Sequence, residues 1–109
     1  MTDIEYLNHA EAALRAVEMS CDQINDASNA DIDNQRSGGM ITLTFVDRSQ
    51  IIVNLQKPLQ EIWLAAKAGG FHYKCVNGIW LDTKNSAEFF AVLSREASAQ
   101  AGQPLTFTP

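Results

Sequence analysis

The sequence predicts an α+β fold, a two-layer α/β sandwich in which two terminal helices pack on one face of an antiparallel sheet of about six strands. Apolar residues recur at helical spacing near both ends of the 109-residue chain. Between these ends, short segments alternate apolar and polar residues with the period of a β-strand. Short turns separate the segments, so consecutive strands pair antiparallel and the helices bury their apolar stripes on one shared face.

The first helix is predicted from about Asp3 to Ile24. Its apolar residues recur at alternating steps of three and four, which gives one stripe made of Leu7, Ala10, Leu14, Val17, Cys21 and Ile24. The segment 25–30 is rich in residues that favour turns, and it ends the helix. The residues from Asp31 to Arg36 then form a short polar strand.

Five further strands are predicted before the second helix. They are Met40–Val46, Gln50–Gln56, Gln60–Lys67, Phe71–Val76 and Ile79–Asp82. Gly69-Gly70 is predicted as a turn, and Asn77-Gly78 is a strong signal for a two-residue hairpin. Asn85 or Ser86 is expected to cap a final helix, which ends near Gly102. The apolar residues at helical spacing in that helix are Phe89, Phe90, Leu93 and Ala97.

Length and composition narrow the class of protein. A chain of 109 residues can bury one core, so we expect a single domain over residues 1–109. No apolar run approaches the ~20 residues that span a bilayer, and the acidic start Met1–Glu5 does not resemble an export signal. We therefore expect a cytoplasmic protein without membrane contact. Cys21 and Cys75 form no C-x-x-C motif, and burial of reduced thiols is favoured over a reactive role.

Charge is distributed unevenly along the chain. Residues 1–35 contain eight acids and one base, Arg15, which gives this segment a formal charge of −7. Residues 36–109 contain five acids and seven bases. Because nucleic-acid phosphates would be repelled by the first segment, the asymmetry argues against a nucleic-acid partner. It favours a cation or a basic protein surface.

The acids of the first segment fall on one side of the predicted structure. At ~100° per residue, the acids of the first helix lie along one edge beside the apolar stripe, and two more acids follow on the first strand. We call this set the acidic ridge; it consists of Glu11, Glu18, Asp22, Asp26, Asp31 and Asp33. Its oxygen-only donors favour hard cations, bound weakly because the spacing is open. The alternative is a solvated helix face without a ligand.

One aromatic residue is expected on the free face of the sheet. If Ile62 and Leu64 face the core, Trp63 points outward beside Asn54 and Gln56. A large aromatic side chain on an open sheet face is typical of a binding hot spot. The alternative is a register shifted by one residue, which would bury Trp63 and expose Ile62.

Catalytic motifs are missing from the sequence. His9 and His72 are the only histidines, and no H-x-x-H, H-E-x-x-H or G-x-S-x-G motif is present. A surface role is favoured for both histidines. We therefore expect a binding protein and not an enzyme.

Two motifs resemble the frataxin family. N-x-Q-x-P-x-x-E-I-W-L-A runs from Asn54 to Ala65, and G-G-F-H-Y follows from Gly69. The acidic first helix, the Gly78-Ile79-Trp80 segment and the closing helix come in the family's order, so the resemblance covers the whole chain. It implies weak binding of Fe²⁺ or Fe³⁺ on the acidic ridge, a role in iron–sulfur cluster assembly, and no organic cofactor.

The same resemblance implies the partners. This chain would dock on a cysteine desulfurase and on the iron–sulfur scaffold protein. It would act there as a brake, as in bacteria, or as an iron donor or sensor, and it would be a monomer without iron. Asn54, Gln56 and Trp63 would form the partner-binding surface. Two alternatives are a metal-independent interaction domain that uses Trp63, and a ferroxidase, which would need a shielded carboxylate pair bridged by histidine.

Overall fold

The computed structural model describes all 109 residues, and it has the predicted order of a helix, six strands and a helix. The elements are α1 (Asp3–Ala27), β1 (Asp33–Ser37), β2 (Met40–Thr44), β3 (Gln50–Gln56), a 3₁₀ turn (Lys57–Leu59), β4 (Glu61–Ala66), β5 (Gly69–Val76), β6 (Ile79–Asp82) and α2 (Phe89–Ala101). The strands form one sheet in chain order, and every neighbouring pair is antiparallel. The predicted α+β sandwich is therefore confirmed.

The core lies between the sheet and both helices. One cluster of 25 buried apolar residues joins the stripes of α1 and α2 to the inward side chains of the strands. Strand alternation decides which residues take part: Ile41, Ile62 and Leu64 are inaccessible or nearly so, while their sequence neighbours are not in the core. The opposite face of the sheet has no covering layer. Neither helix is both long enough and apolar enough to cross a bilayer.

Several element boundaries differ by one to three residues from the sequence prediction, among them the ends of β2 at Thr44 and of β4 at Ala66, and three of the differences are notable. The first strand begins at Asp33 and not at Asp31, because Asp31 takes a left-handed backbone with φ of 51°. Gly69 belongs to β5, and the turn before it is formed by residues 67–68. Helix α1 continues to Ala27, so Asp26 is helical.

The N-cap predicted for the second helix was wrong. Neither Asn85 nor Ser86 caps α2; Glu88 does, and its carboxylate accepts hydrogen bonds from the backbone N–H groups of Phe90 and Ala91 at 2.7 and 3.1 Å. Asn85 closes a local turn, since its side chain accepts from the Ala87 N–H at 3.0 Å. Glutamate is an uncommon N-cap, so cap preferences pointed to the smaller polar residues upstream.

Two tyrosines are completely buried in the core. Tyr6 donates from its hydroxyl to the backbone carbonyl of Glu61 at 2.7 Å, which ties α1 to β4. The hydroxyl of Tyr73 is buried without a hydrogen-bond partner within the protein. Burial, with a smaller contribution from the Asp82 carboxylate, raises the pKa of Tyr73 well above its usual value.

Both cysteines are free thiols. Cys21 is buried in α1, and burial raises the pKa of its thiol to about 11. Cys75 on β5 is half-buried. Because the thiolate is the reactive form, the environment of Cys21 is that of an unreactive core residue.

Candidate functional site

The acidic ridge begins on a well-anchored helix. Thr2 caps α1, and its hydroxyl accepts from the Glu5 N–H at 3.1 Å while the Glu5 carboxylate accepts from the Thr2 N–H at 2.9 Å. The hydrogen bond from the Thr2 backbone lowers the pKa of Glu5. With its start fixed, the helix presents Asp22 and Asp26 to solvent on its last two turns.

The C-terminal end of α1 concentrates negative charge. Asp22 and Asp26 lie one turn apart near this end, and no basic residue is present in the last turn. A helix C-terminus has a partial negative charge, which favours cations and disfavours carboxylates. Neither aspartate takes part in an ion pair with another side chain. The arrangement is thus unfavourable for the isolated helix and favourable for an external cation.

Asn25 connects the helix to the acids that follow it. Its side-chain amide donates to the carbonyl of Ile32 at 2.9 Å, and its carbonyl oxygen accepts from the Ile32 N–H at 2.9 Å. Ile32 is buried, while Asp31 and Asp33 on either side of it are exposed. This two-point clamp holds the backbone segment that carries both aspartates beside the end of α1.

The two aspartates do not share a strand, contrary to the sequence expectation. Asp31 precedes β1, and only Asp33 belongs to it. Asp33 pairs with Thr44 across the β1–β2 ladder, whereas Arg36 pairs with the buried Ile41 and so lies on the helix side. Because strand residues alternate, Asp33 points to the face of the sheet that is away from α1.

Arg36 contacts the acidic ridge, and the sequence analysis did not predict this contact. Its guanidinium donates to Glu11 Oε2 at 2.5 Å and to Glu18 Oε1 at 2.8 Å, and its Nε donates to the Gly38 carbonyl at 3.0 Å. The hydrogen bonds with Glu11 and Glu18 raise the pKa of Arg36. The only sequence signal for this contact is that Arg36 is the first base after a run of acids.

The ridge does not form a closed metal centre. No three histidine, cysteine, aspartate or glutamate side chains of the chain come together closely enough to hold one metal ion. Exposed carboxylates at this spacing suit a hydrated hard cation bound through one or two oxygens. The donor set therefore suits a loosely held hard cation, and it does not fit a buried metal centre.

A second polar site lies on the free face of the sheet. Asn54, Trp63 and His72 are paired side by side on β3, β4 and β5. Ile62 and Leu64 face the core, so the register of β4 is the one expected. Trp63 is half-buried and not fully exposed, because His72 stacks on its ring with the centroids 4.1 Å apart and the planes 5° from parallel.

Glu61 holds the indole of Trp63 in place. The Glu61 side chain is only 10% exposed, and its Oε1 accepts from the Trp63 Nε1–H at 2.8 Å. Lys74 Nζ lies 3.4 Å from the other carboxylate oxygen, and His72 Nδ1 lies 3.8 Å from Oε1. Gln56 pairs directly with Glu61 on the neighbouring strand. The predicted set of Asn54, Gln56 and Trp63 is thus one surface, to which Glu61 and His72 must be added.

Comparisons with known proteins agree on one family. Residues 1–103 match the family model of the frataxin-like domain. The chain is 72% identical over 107 residues to the iron-sulfur cluster assembly protein CyaY of Polaromonas sp., an alignment that covers 98% of this chain and 92% of that protein. It is 67% identical to the protein of the same name from Variovorax paradoxus, with 98% and 97% covered.

Two solved structures have the same fold. Frataxin from Psychromonas ingrahamii, of the CyaY protein family, superposes with a TM-score of 0.88 at 32% identity, and all of both chains is covered. Trimeric frataxin from the yeast Saccharomyces cerevisiae, complexed with ferrous iron, superposes with a TM-score of 0.76 at 25% identity over 87% of each chain. Matched along nearly its whole length by the family model, by these relatives and by these structures, the chain belongs to the frataxin family.

Proposed function

We propose that this chain is an iron–sulfur cluster assembly protein that binds iron weakly on its acidic ridge and docks on a cysteine desulfurase and its scaffold protein. Docked there, it slows cluster assembly. The names of its relatives and the ferrous complex of yeast frataxin support this proposal. The observation that carries it is a set of four exposed aspartates without a basic partner. Asp22 and Asp26 lie on the last two turns of α1, Asp31 follows the helix, and Asp33 lies on the outward face of β1.

The chemistry of these aspartates supports weak binding of iron as cargo. They offer oxygen donors only, and no third ligand closes around a cation. Open oxygen sites of this kind bind hard cations with dissociation constants on the order of 10⁻⁵–10⁻³ M. A ferroxidase activity would need a shielded pair of carboxylates, whereas Asp22 and Asp26 are both exposed. We therefore propose a binding role without turnover, and a monomer in the absence of iron.

Iron binding can be tested by titration under anaerobic conditions. Backbone amide signals followed by NMR should shift or broaden around Asp22, Asp26, Asp31 and Asp33 as Fe²⁺ is added. The double variant Asp22→Asn/Asp26→Asn should lose most of this response. A matched control is Ala91→Lys/Ala99→Lys, which changes the formal charge equally at two exposed positions of α2. Perturbations that cluster at His72 or Cys75 would contradict the ridge assignment.

Docking is proposed to depend on charge. The −7 formal charge of residues 1–35 would attract a basic patch of the desulfurase, and such attraction is screened beyond a Debye length of ~8 Å at physiological salt. Affinity should therefore fall steeply as salt rises. An apolar contact would lack this dependence.

The functional assay is desulfurase-driven cluster formation with and without this protein, over a series of salt concentrations. Wild type should slow the reaction at low salt, Asp22→Asn/Asp26→Asn should do so much less, and the Ala91→Lys/Ala99→Lys control should behave nearly as wild type. Size-exclusion chromatography with and without Fe²⁺ tests the proposed monomer in parallel. Equal inhibition by all three proteins at every salt concentration would refute electrostatic docking through α1.

The surface around Trp63 favours a second candidate, a metal-independent interaction. The indole is half-exposed on an uncovered sheet face, and Glu61 and His72 fix its position before any partner binds. Preorganised aromatic anchors are the usual hot spots of protein interfaces. Trp63→Ala should weaken docking by ~2 kcal/mol or more if this surface contributes. Loss of docking in Trp63→Ala together with no effect of Asp22→Asn/Asp26→Asn would favour this candidate over the ridge.

A further inference from the structure

We propose that Arg36 is a built-in counter-ion that withholds Glu11 and Glu18 from external cations, so that only the C-terminal part of the acidic ridge responds to metal. This inference rests on the proposed function. It assigns a selectivity role to a residue of the edge strand that makes no contact with metal itself. The remaining aspartates of the ridge have no such partner.

The first support is the geometry of the Arg36 side chain. All three guanidinium nitrogens are engaged, two by Glu11 and Glu18 and the third by the carbonyl of Gly38. The two glutamates are seven residues apart, about 10 Å along the helix axis, and the planar guanidinium bridges the gap. The Arg36 side chain is only 22% exposed, whereas those of Glu11 and Glu18 are 42% and 34% exposed, so the arginine is the more buried member of both pairs.

The second support is the register of β1. Arg36 pairs with Ile41, which is completely buried, so strand alternation requires Arg36 to lie on the helix side of the sheet. The contact is therefore set by the fold and not by a chance rotamer of an exposed arginine. Asp33, three residues earlier in the same strand, faces the other way.

The third support is charge. Glu11, Glu18 and Arg36 together retain one negative charge, whereas the other four ridge acids retain all of theirs. An arginine cannot deprotonate to release its partners at any physiological pH. A hydrated cation therefore meets carboxylates at Glu11 and Glu18 that are each held through one oxygen and partly neutralised by the guanidinium, while it meets free carboxylates at Asp22 and Asp26.

The test uses Mn²⁺ as the probe, because its paramagnetism broadens nearby amide signals in NMR spectra. In wild type, broadening should be confined to the neighbourhood of residues 22–33. In Arg36→Gln it should extend to Glu11 and Glu18, with an apparent affinity at these two residues about fivefold or more higher than in wild type. Arg15→Gln is the matched control, because Arg15 lies exposed on α1 between Glu11 and Glu18 and forms no ion pair.

The outcomes separate this inference from the proposed function. Equal broadening at both halves of the ridge in wild type, or equal gains in Arg36→Gln and Arg15→Gln, would overturn the role of Arg36. Broadening that appears in Arg36→Gln alone, and never near Asp22, would support Arg36 while refuting the proposed iron site. No broadening in any protein would overturn both.

If Arg36→Gln does not fold, Arg36→Lys replaces it. Lysine keeps the charge but cannot bridge both glutamates, so partial broadening at one glutamate is then expected.

Discussion

Replacing each buried tyrosine by phenylalanine should shift stability in opposite directions. Tyr73→Phe removes a hydroxyl that is buried without a partner within the protein, and Tyr6→Phe removes a hydroxyl that donates to the Glu61 carbonyl at 2.7 Å. Both side chains are 0% exposed, so the two substitutions delete the same atom from equally buried rings. They differ only in whether that atom is hydrogen-bonded.

The expected magnitudes follow from the hydrogen bonding. An unpaired buried polar group costs about 1–3 kcal/mol, and a buried hydrogen bond contributes about 0.5–1.5 kcal/mol net. Tyr73→Phe should therefore raise the free energy of unfolding by about 1 kcal/mol, and Tyr6→Phe should lower it by about 1 kcal/mol. For a domain of this size each change corresponds to a shift in Tm of about 4 °C. Urea unfolding followed by circular dichroism measures both.

The pH dependence provides an independent check. The pKa of Tyr73 is raised by burial, so the folded state keeps this proton after an unfolded tyrosine, with a pKa of about 10, has lost it. The stability that this difference contributes is present below pH 10 and is lost as pH rises above it. The advantage of Tyr73→Phe over wild type should widen above pH 10. A Tyr73→Phe protein as destabilised as Tyr6→Phe would refute the reasoning, because it would mean that the hydroxyl of Tyr73 is paired in solution.

Three further experiments test other parts of the structure. Trp80 is only 4% exposed, so Trp80→Ala should lower the free energy of unfolding by about 3–5 kcal/mol in urea unfolding. Trp63→Ala should lower it much less, and equal losses would place Trp63 in the core. A thiol reagent should label Cys75 in the folded protein and Cys21 only on unfolding, and a Cys75→Ser protein that still reacts quickly would contradict this. Glu88→Ala removes the cap of α2, so it should lower the free energy of unfolding by about 1–2 kcal/mol. Glu88→Gln should lower it less, and thermal unfolding measures both changes.

Sequence periodicity was sufficient for the architecture but not for the boundaries. The alternation around Ile62 determined which face of β4 is buried, and the helical stripe of α1 determined which face meets the sheet. Local turn preferences failed where longer-range contacts decide. Gly69 continues a strand because its pairing with Ala66 outweighs its preference for turns. Glu88 caps α2 because its longer side chain reaches two backbone N–H groups of the first turn.

The candidate site was predictable only in part. Carboxylates on one helix edge follow from angular spacing, so the acids of α1 could be grouped from the sequence. Arg36 and Glu18 are 18 residues apart in the sequence, and their contact depends on which face of the sheet the Arg36 side chain takes on the edge strand β1. The burial of Glu61 depends likewise on Trp63 and Lys74, which meet it only in the folded sheet. Pairings of this kind need the tertiary structure.

The amide clamp of Asn25 limits how acidic this end of the molecule can become. An aspartate at the same position would have nearly the same shape and would add a charge to the ridge, but it would lose the N–H donor that satisfies the Ile32 carbonyl. Two acceptors would then face each other at 2.9 Å, and the segment that carries Asp31 and Asp33 would be released from α1. A gain in charge there would be offset by a loss of order, so the neutral residue is what keeps the neighbouring charges together.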